Sequence, residues 1–340
     1  MSIPKENVDA AKLAVTLCNL VSDFNPVKNI SKIAPEWNVT WSGGEPSDPN
    51  YCMLVYLNGT DTYGLVFRGS VMEKGVFTKW DEISDWVLED LNDEMVYWPY
   101  HYGVLKFDIA DMPCVGAGSL IALTNILKMV DKPTRAPLLT ALTSLQNMGF
   151  KLIITGHSLG GNLAKVYTSY LFRALPQLAQ EKVRLCTFAA PASGNQAFMD
   201  DLNKKIGGNQ VHYQNKYDIV PGFPTAEGIA AAGLLYNPSP AADKIIAVDG
   251  TDITLKAVLM DLGNKFGKLG YKEPNKEYIQ QFPEVLDPKW LDSKNIGDDF
   301  GSWKGQVEYQ HQLFNYAGYL GVTLNPIQQP SQVSMPLEMN

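Results

Sequence analysis

The chain has 340 residues, 45% of them hydrophobic and 11% aromatic, and a formal net charge of −8. This composition supplies a sizeable core and excludes general disorder, while the length fits one large domain or two small ones. The acidic balance and the lack of any Lys/Arg-rich run argue against a nucleic-acid partner, and no apolar run is long enough for a transmembrane segment, residues 228–236 being among the longest.

The N-terminus has no basic stretch followed by an apolar core, so a Sec signal peptide is not expected. The default expectation is a cytoplasmic location, with secretion by another route left open. Residues 10–21 predict a helix. Residues 51–57 predict a strand, Asn58-Gly59 a hairpin turn, and 63–67 the returning strand, which runs into Arg68-Gly69-Ser70. In 71–92, Val76, Trp80, Ile83 and Val87 fall on one helical face, with Phe77 beside it, and acids dominate the rest. That pattern suits either an ordinary surface helix or a mobile cover. Helices are predicted over 117–130 and 137–148, broken by Asp131-Lys132-Pro133.

Residues 151–155 are apolar and β-prone after Lys151, the pattern of a buried strand in a parallel sheet. Residues 162–171 carry apolar side chains at helical spacing. Gly156-His157-Ser158-Leu159-Gly160 lies between them. The pentapeptide alone is weak among 28 glycines, but a strand before it and a helix after it are the required context for a nucleophile elbow. Residues 183–188 and 210–214 predict two further strands, with a helix over 195–206 capped from Ser193 or Asn195. Alternating strands and helices imply an α/β fold: a mainly parallel sheet covered on both faces.

Residues 222–301 change character, becoming rich in Pro, Gly and Ala with a hairpin expected at Asp249-Gly250. They read as an insertion in a single domain spanning 1–340. Residues 306–320 read as a last helical or mixed segment around His311, and the tail after about 325 as loosely held. Cys18, Cys52, Cys114 and Cys186 are far apart and form no Cys-X-X-Cys, so they read as reduced, buried thiols, with no metal site.

Ser158 would be exposed on the sharp turn, with the N–H of Leu159 at a helix N-terminus able to hold an oxyanion. A serine nucleophile needs a base, and the base needs an orienting group. Among the four histidines, His157 is inside the elbow, His101 precedes it, and His212 lies close before the best acid candidate. In the elbow order of Ser, acid, His, only His311 leaves room for an acid. Asp218, just past a strand at the sheet's carboxyl edge, is the best acid. Asp200 and Asp201 lie in a helix and read as solvated, and Asp243 and Asp249 lie in the insertion. Ser70, ending its strand, is placed to supply the second oxyanion donor.

Phe67-Arg68-Gly69-Ser70, the Gly156–Gly161 elbow, Pro191 with Gly194-Asn195 and Phe198, Asn215 with Asp218-Ile219-Val220-Pro221, and His311 followed by Tyr316 occur in that order. This set resembles the class 3 (fungal-type triacylglycerol) lipases of the α/β-hydrolase superfamily, which include bacterial members, over about residues 51–320. The resemblance implies an α/β-hydrolase fold and a lipid ester substrate met at an oil–water or membrane interface. It implies Ser158, Asp218 and His311 as the catalytic residues, Ser70 as oxyanion donor, no cofactor, and a lid directly after Ser70. Val76, Phe77, Trp80 and Ile83 are the lid candidates, with 228–236 as the rival cover. Alternatives are a phospholipase A1, a carboxylesterase, or a non-catalytic binding protein on the same fold. A protein of the last kind is expected to have lost one of the three catalytic residues.

Overall fold

The computed structural model describes residues 3–45, 48, 50–69, 94–103, 111–146, 148–236, 245–248, 251–290 and 299–328. The lid candidates at 76, 77, 80 and 83, together with Ser70, Asp243 and Asp249, lie outside these residues.

Among the described residues, seven strands form the central sheet. In chain order they are β1 (Trp37–Gly43), β2 (Cys52–Leu57), β3 (Thr62–Phe67), β6 (Lys151–His157), β7 (Val183–Phe188), β9 (Gln210–Asn215) and β13 (Ile279–Phe282). They lie side by side in that same order. β1, β2 and β3 pair antiparallel, whereas β3, β6, β7, β9 and β13 run parallel. The sheet is therefore mainly parallel. Of the intervening strands, β4 (Met95–Tyr97), β5 (Cys114–Gly116), β8 (Gly194–Asn195) and β12 (Tyr271–Lys272) form a second sheet, and β10 (Ile245–Val248) pairs with β11 (Thr251–Thr254).

Alternation along the strands sends side chains to two cores. On β6, Leu152 and Ile154 face one core and Ile153 the other, and Leu65/Phe67 against Val66 repeat this on β3. The first core packs under the helices Ala117–Lys128, Leu138–Gln146, Leu159–Ala174 and Gln196–Ile206. The second packs under Lys5–Val21 and Leu313–Tyr319. Strands buried on both faces explain why β6 and β7 read as nearly continuous apolar runs.

β1 was not among the expected strands, although Trp37, Val39 and Trp41 alternate as a strand requires. The helix Pro26–Ile33 was also unexpected. The 222–301 segment, read as an insertion, carries elements of its own. It adds an antiparallel hairpin, Ile245–Val248 with Thr251–Thr254, and a pair of packed helices, Ala226–Ala232 and Leu255–Gly267. Its Ile279–Phe282 strand is an integral edge of the central sheet, parallel to β9. The chain end, expected to be loose after about 325, is tied as far as Gln328. Asn19 donates to the Asn325 carbonyl, and Gln328 pairs through its own N–H and C=O with Asp23 and Phe24. The Gln196–Ile206 helix is capped by Asn195, whose side chain accepts from the Phe198 N–H at 3.0 Å.

Asp201 corrects the expectation of a solvated carboxylate. It is buried and ion-paired with Lys205 at 2.6 Å, one helical turn away. Lys205 also donates to the Tyr100 carbonyl and to Ser169, and Asp201 accepts from the Tyr102 N–H. The pair thereby clamps the segment around 98–102 to the domain.

Candidate active site

β6 ends at His157, and the helix Leu159–Ala174 begins two residues later. Ser158 makes the turn with φ 57° and ψ −131°, a region that residues other than glycine rarely occupy. The strained turn is held by hydrogen bonds. The Ser158 N–H donates to the Phe188 carbonyl at 2.9 Å, and its own carbonyl accepts from Gly161 N–H at 2.9 Å.

The elbow glycines are required by close approach. A Cβ on Gly156 would lie 2.1 Å from the Gly160 carbonyl carbon, and one on Gly160 would lie 2.2 Å from the Phe67 carbonyl oxygen. The helix therefore passes directly over β6 and the end of β3. A Cβ on Gly69 would lie 2.8 Å from the His157 carbonyl oxygen and 3.4 Å from Ser158 Cβ. The chain leaving β3 thus runs against the elbow, and Ser70 is the residue that follows. Leu159 is the first helical residue, so its N–H has no acceptor within the helix and lies at the positive end of the helix dipole.

His311 occupies the turn between the helices Asp299–Gln310 and Leu313–Tyr319. Its Nε2 is 2.9 Å from Ser158 Oγ, and its Nδ1 is 2.8 Å from Asp218 Oδ2. A carboxylate only accepts, so Nδ1 carries the hydrogen and Nε2 offers its lone pair to the serine hydroxyl. Asp218 lies just past β9, with its side chain fully buried. Its Oδ1 accepts from the Val220 N–H at 2.9 Å, and its Oδ2 also accepts from the Tyr316 hydroxyl at 2.7 Å. A buried carboxylate with these donors is compensated for its loss of water. Burial, followed by the nearby Asp218 charge, pushes the Tyr316 hydroxyl well above the usual tyrosine range, so it remains a donor.

Asn215, at the end of β9, braces the same corner. Its side-chain amide donates to the carbonyl and the side chain of Gln310, and its side-chain oxygen accepts from the Tyr217 and Glu284 N–H groups. The residue before His311 is thereby tied to the strand that carries Asp218.

The other histidines have different surroundings. His101 pairs with the Tyr97 hydroxyl and accepts from the Gly103 N–H. His212 is buried between Thr187 and Gln210. His157 turns to the face opposite the elbow helix, where its ring meets the main chain of His311. The four cysteines are free, with Cys18, Cys52 and Cys186 buried. Among the described residues, no group of three or more His, Cys, Asp and Glu could hold a metal ion. No described helix is long and apolar enough to cross a membrane.

The arrangement can bring the serine hydroxyl oxygen to an electrophilic carbon while its proton passes to the imidazole, and stabilise the resulting imidazolium with the buried carboxylate. Residues 65–228 match the family model of the class 3 lipases. The chain is similar in structure to M37 lipase at 19% identity and TM-score 0.67, with 94% of each chain covered. It is also similar to the triacylglyceride lipase of Rhizomucor miehei, at 19% identity and TM-score 0.50, covering 67% of this chain and 78% of that one. Lipase II from Rhizopus niveus resembles it at 17% identity and TM-score 0.50, covering 66% and 77%. At these identities the solved structures speak to the fold, which is that of the α/β-hydrolases.

Proposed function

We infer that this chain, which belongs to the class 3 lipase family, hydrolyses the carboxylic ester bonds of lipids, triacylglycerols foremost, through an acyl-enzyme on Ser158. The observation that carries this reading is the continuous hydrogen-bonded chain from Ser158 through His311 to the buried Asp218, set at the start of a helix. Ser158 Oγ attacks the ester carbonyl while Nε2 of His311 takes its proton. The imidazolium then protonates the departing alcohol as the C–O bond breaks. A water activated by the same Nε2 attacks the acyl-enzyme and releases the fatty acid, and the proton returns to Ser158. Asp218 keeps the imidazole in the right tautomer and balances its charge. The N–H of Leu159 is suited to hold the oxyanion, and Ser70, one residue beyond Gly69 at the elbow, is the second donor.

The interfacial part of the reading rests on the sequence. A triacylglycerol is met at an oil–water boundary, and an amphipathic cover over residues 71–87, with Val76, Phe77, Trp80 and Ile83 on or near its apolar face, would shield the site in water. Altered hydrogen exchange across 71–87 on adding lipid is the expected sign, whereas a change confined to 222–240 would assign the cover to that segment.

The decisive experiment combines probe labelling with kinetics. Wild type should react with a fluorophosphonate at Ser158. Ser158→Ala and His311→Ala should each lower kcat on a soluble ester by about 10⁴-fold or more, and the double variant should be little worse, because the members act as one unit. Ser70→Ala should lower kcat by about 100- to 1000-fold with little change in KM. His101→Ala should leave kcat within a few-fold. An unreactive Ser158 would favour a binding protein, and turnover of soluble esters without triacylglycerol emulsions would favour a carboxylesterase.

A further inference from the structure

We propose that His157 is a positioning residue for the catalytic base: its ring N–H holds the main-chain carbonyl of His311, and its ring braces the His311 imidazole from beneath. The proposal rests on the reading of Ser158, His311 and Asp218 as the catalytic chain.

The geometry begins in the strand. Along β6, Ile153 points into the core under the Leu313–Tyr319 helix, and the period of two sends His157 to the same side. There its Nε2 lies 2.9 Å from the His311 carbonyl oxygen. The two imidazole centroids are 4.7 Å apart with the planes inclined by 38°. The Tyr316 ring also meets His157 edge-on, at 6.0 Å.

A carbonyl only accepts, so Nε2 of His157 must carry the hydrogen. Burial, reinforced by the neighbouring His311, holds the His157 pKa well below that of an ordinary histidine. The ring is therefore neutral and offers that single N–H to His311. Neutrality matters chemically. When His311 takes the serine proton it becomes cationic, and a charged ring so close to it would oppose that step.

His311 needs such a hold because it sits in the turn between two helices. Its N–H is fixed by the Val307 carbonyl at 3.1 Å. Its carbonyl is the group His157 takes. Ser158 and Asp218 contact only the ring. Losing the carbonyl contact removes one of the holds on the main chain under that ring, and a displacement of about 1 Å is enough to lower turnover about 100-fold.

The experiment compares His157→Phe, which keeps a ring and removes the donor, with His157→Gln, whose amide nitrogen reaches about as far as Nε2. Rates are measured per folded molecule on a soluble ester, alongside thermal denaturation. The expected result is a kcat lowered about 10- to 100-fold in His157→Phe with KM within about twofold, and recovery of most of that loss in His157→Gln. A wild-type kcat in the Phe variant, or a Gln variant no better than Phe, overturns the proposal. Should the Phe variant not fold, the ring nitrogens of the wild type decide by NMR. An exchange-protected Nε2–H on His157 supports the contact, and an Nδ1–H tautomer overturns it. Wild type that fails to label at Ser158 overturns the catalytic reading and the proposal with it. Labelled wild type with an unaffected Phe variant overturns the proposal alone.

Discussion

The Tyr316 hydroxyl donates to Oδ2 of Asp218 at 2.7 Å, the same oxygen that accepts from His311 at 2.8 Å. Two donors on one carboxylate oxygen fix both its position and its charge. Hydrogen bonds to charged groups contribute about 1.5–3 kcal/mol. Tyr316→Phe is therefore expected to lower stability by roughly that amount and kcat by about tenfold as Asp218 gains freedom. Thermal denaturation and kcat on a soluble ester check both parts. An unchanged kcat would mean that the Val220 N–H and His311 are sufficient to hold the carboxylate.

Gly160 and Gly318 provide a contrast in backbone crowding. A Cβ on Gly160 would sit 2.2 Å from a main-chain oxygen of β3, which cannot move aside without opening the sheet. Gly160→Ala is expected to destabilise by about 3 kcal/mol or more, by overpacking against rigid backbone. A Cβ on Gly318, inside the Leu313–Tyr319 helix, would meet nothing within 4 Å. Gly318→Ala is expected to stabilise by about 0.5–1 kcal/mol through helix propensity. Urea unfolding of the two variants should show opposite signs.

The buried Lys205–Asp201 pair is held at 2.6 Å with side-chain exposures of 0% and 6%. Removing one partner leaves the other charge buried alone. Lys205→Met should therefore cost about 3–5 kcal/mol, and Lys205→Met with Asp201→Leu should recover a large part of that loss. Thermal melts of the two singles and the double form the test, and strictly additive losses would refute the coupling.

Lys165 lies in the elbow helix, fully buried, with its ammonium nitrogen 2.6 Å from the Pro191 carbonyl oxygen. Burial lowers its pKa from 10.5 to about 7, partly offset by Glu273. In the unfolded chain the amine keeps its proton to about 10.5, and in the folded protein only to about 7. Between these values the unfolded state binds more protons, so this group makes stability rise with pH. The melting temperature of wild type relative to Lys165→Met is expected to climb from pH 7 towards pH 10. A constant difference across that range would show that the buried amine keeps its proton.

The strand–elbow–helix unit was legible because it is local. Period-two and period-3.6 patterns meet at a turn where Gly156 is demanded by backbone contact with Gly160, four residues on. The same holds for β2, β3, β7 and β9. Ile279–Phe282 was not legible, because its two glutamines give no apolar run and only pairing with β9 makes it a strand. Asp201 carried no sign of burial, since the segment that covers it, around Trp98 to Tyr102, is 99 residues away at its Tyr102 contact.

At the site, residue types and chain order were enough to name Ser158, Asp218 and His311 as candidates. Their distances were not readable, because Asp218 and His311 are 93 residues apart and meet only where β9 and the last helices pack together. The place of His157 inside the elbow also implied that its side chain points away from the neighbouring hydroxyl. What it meets there was decided by a carbonyl 154 residues later in the chain. Local periodicity and backbone sterics are properties of neighbouring residues and are written in the sequence. The hydrogen bonds that orient His311 join segments brought together by burial of the two cores on either side of the sheet, and those contacts exist only in the folded chain.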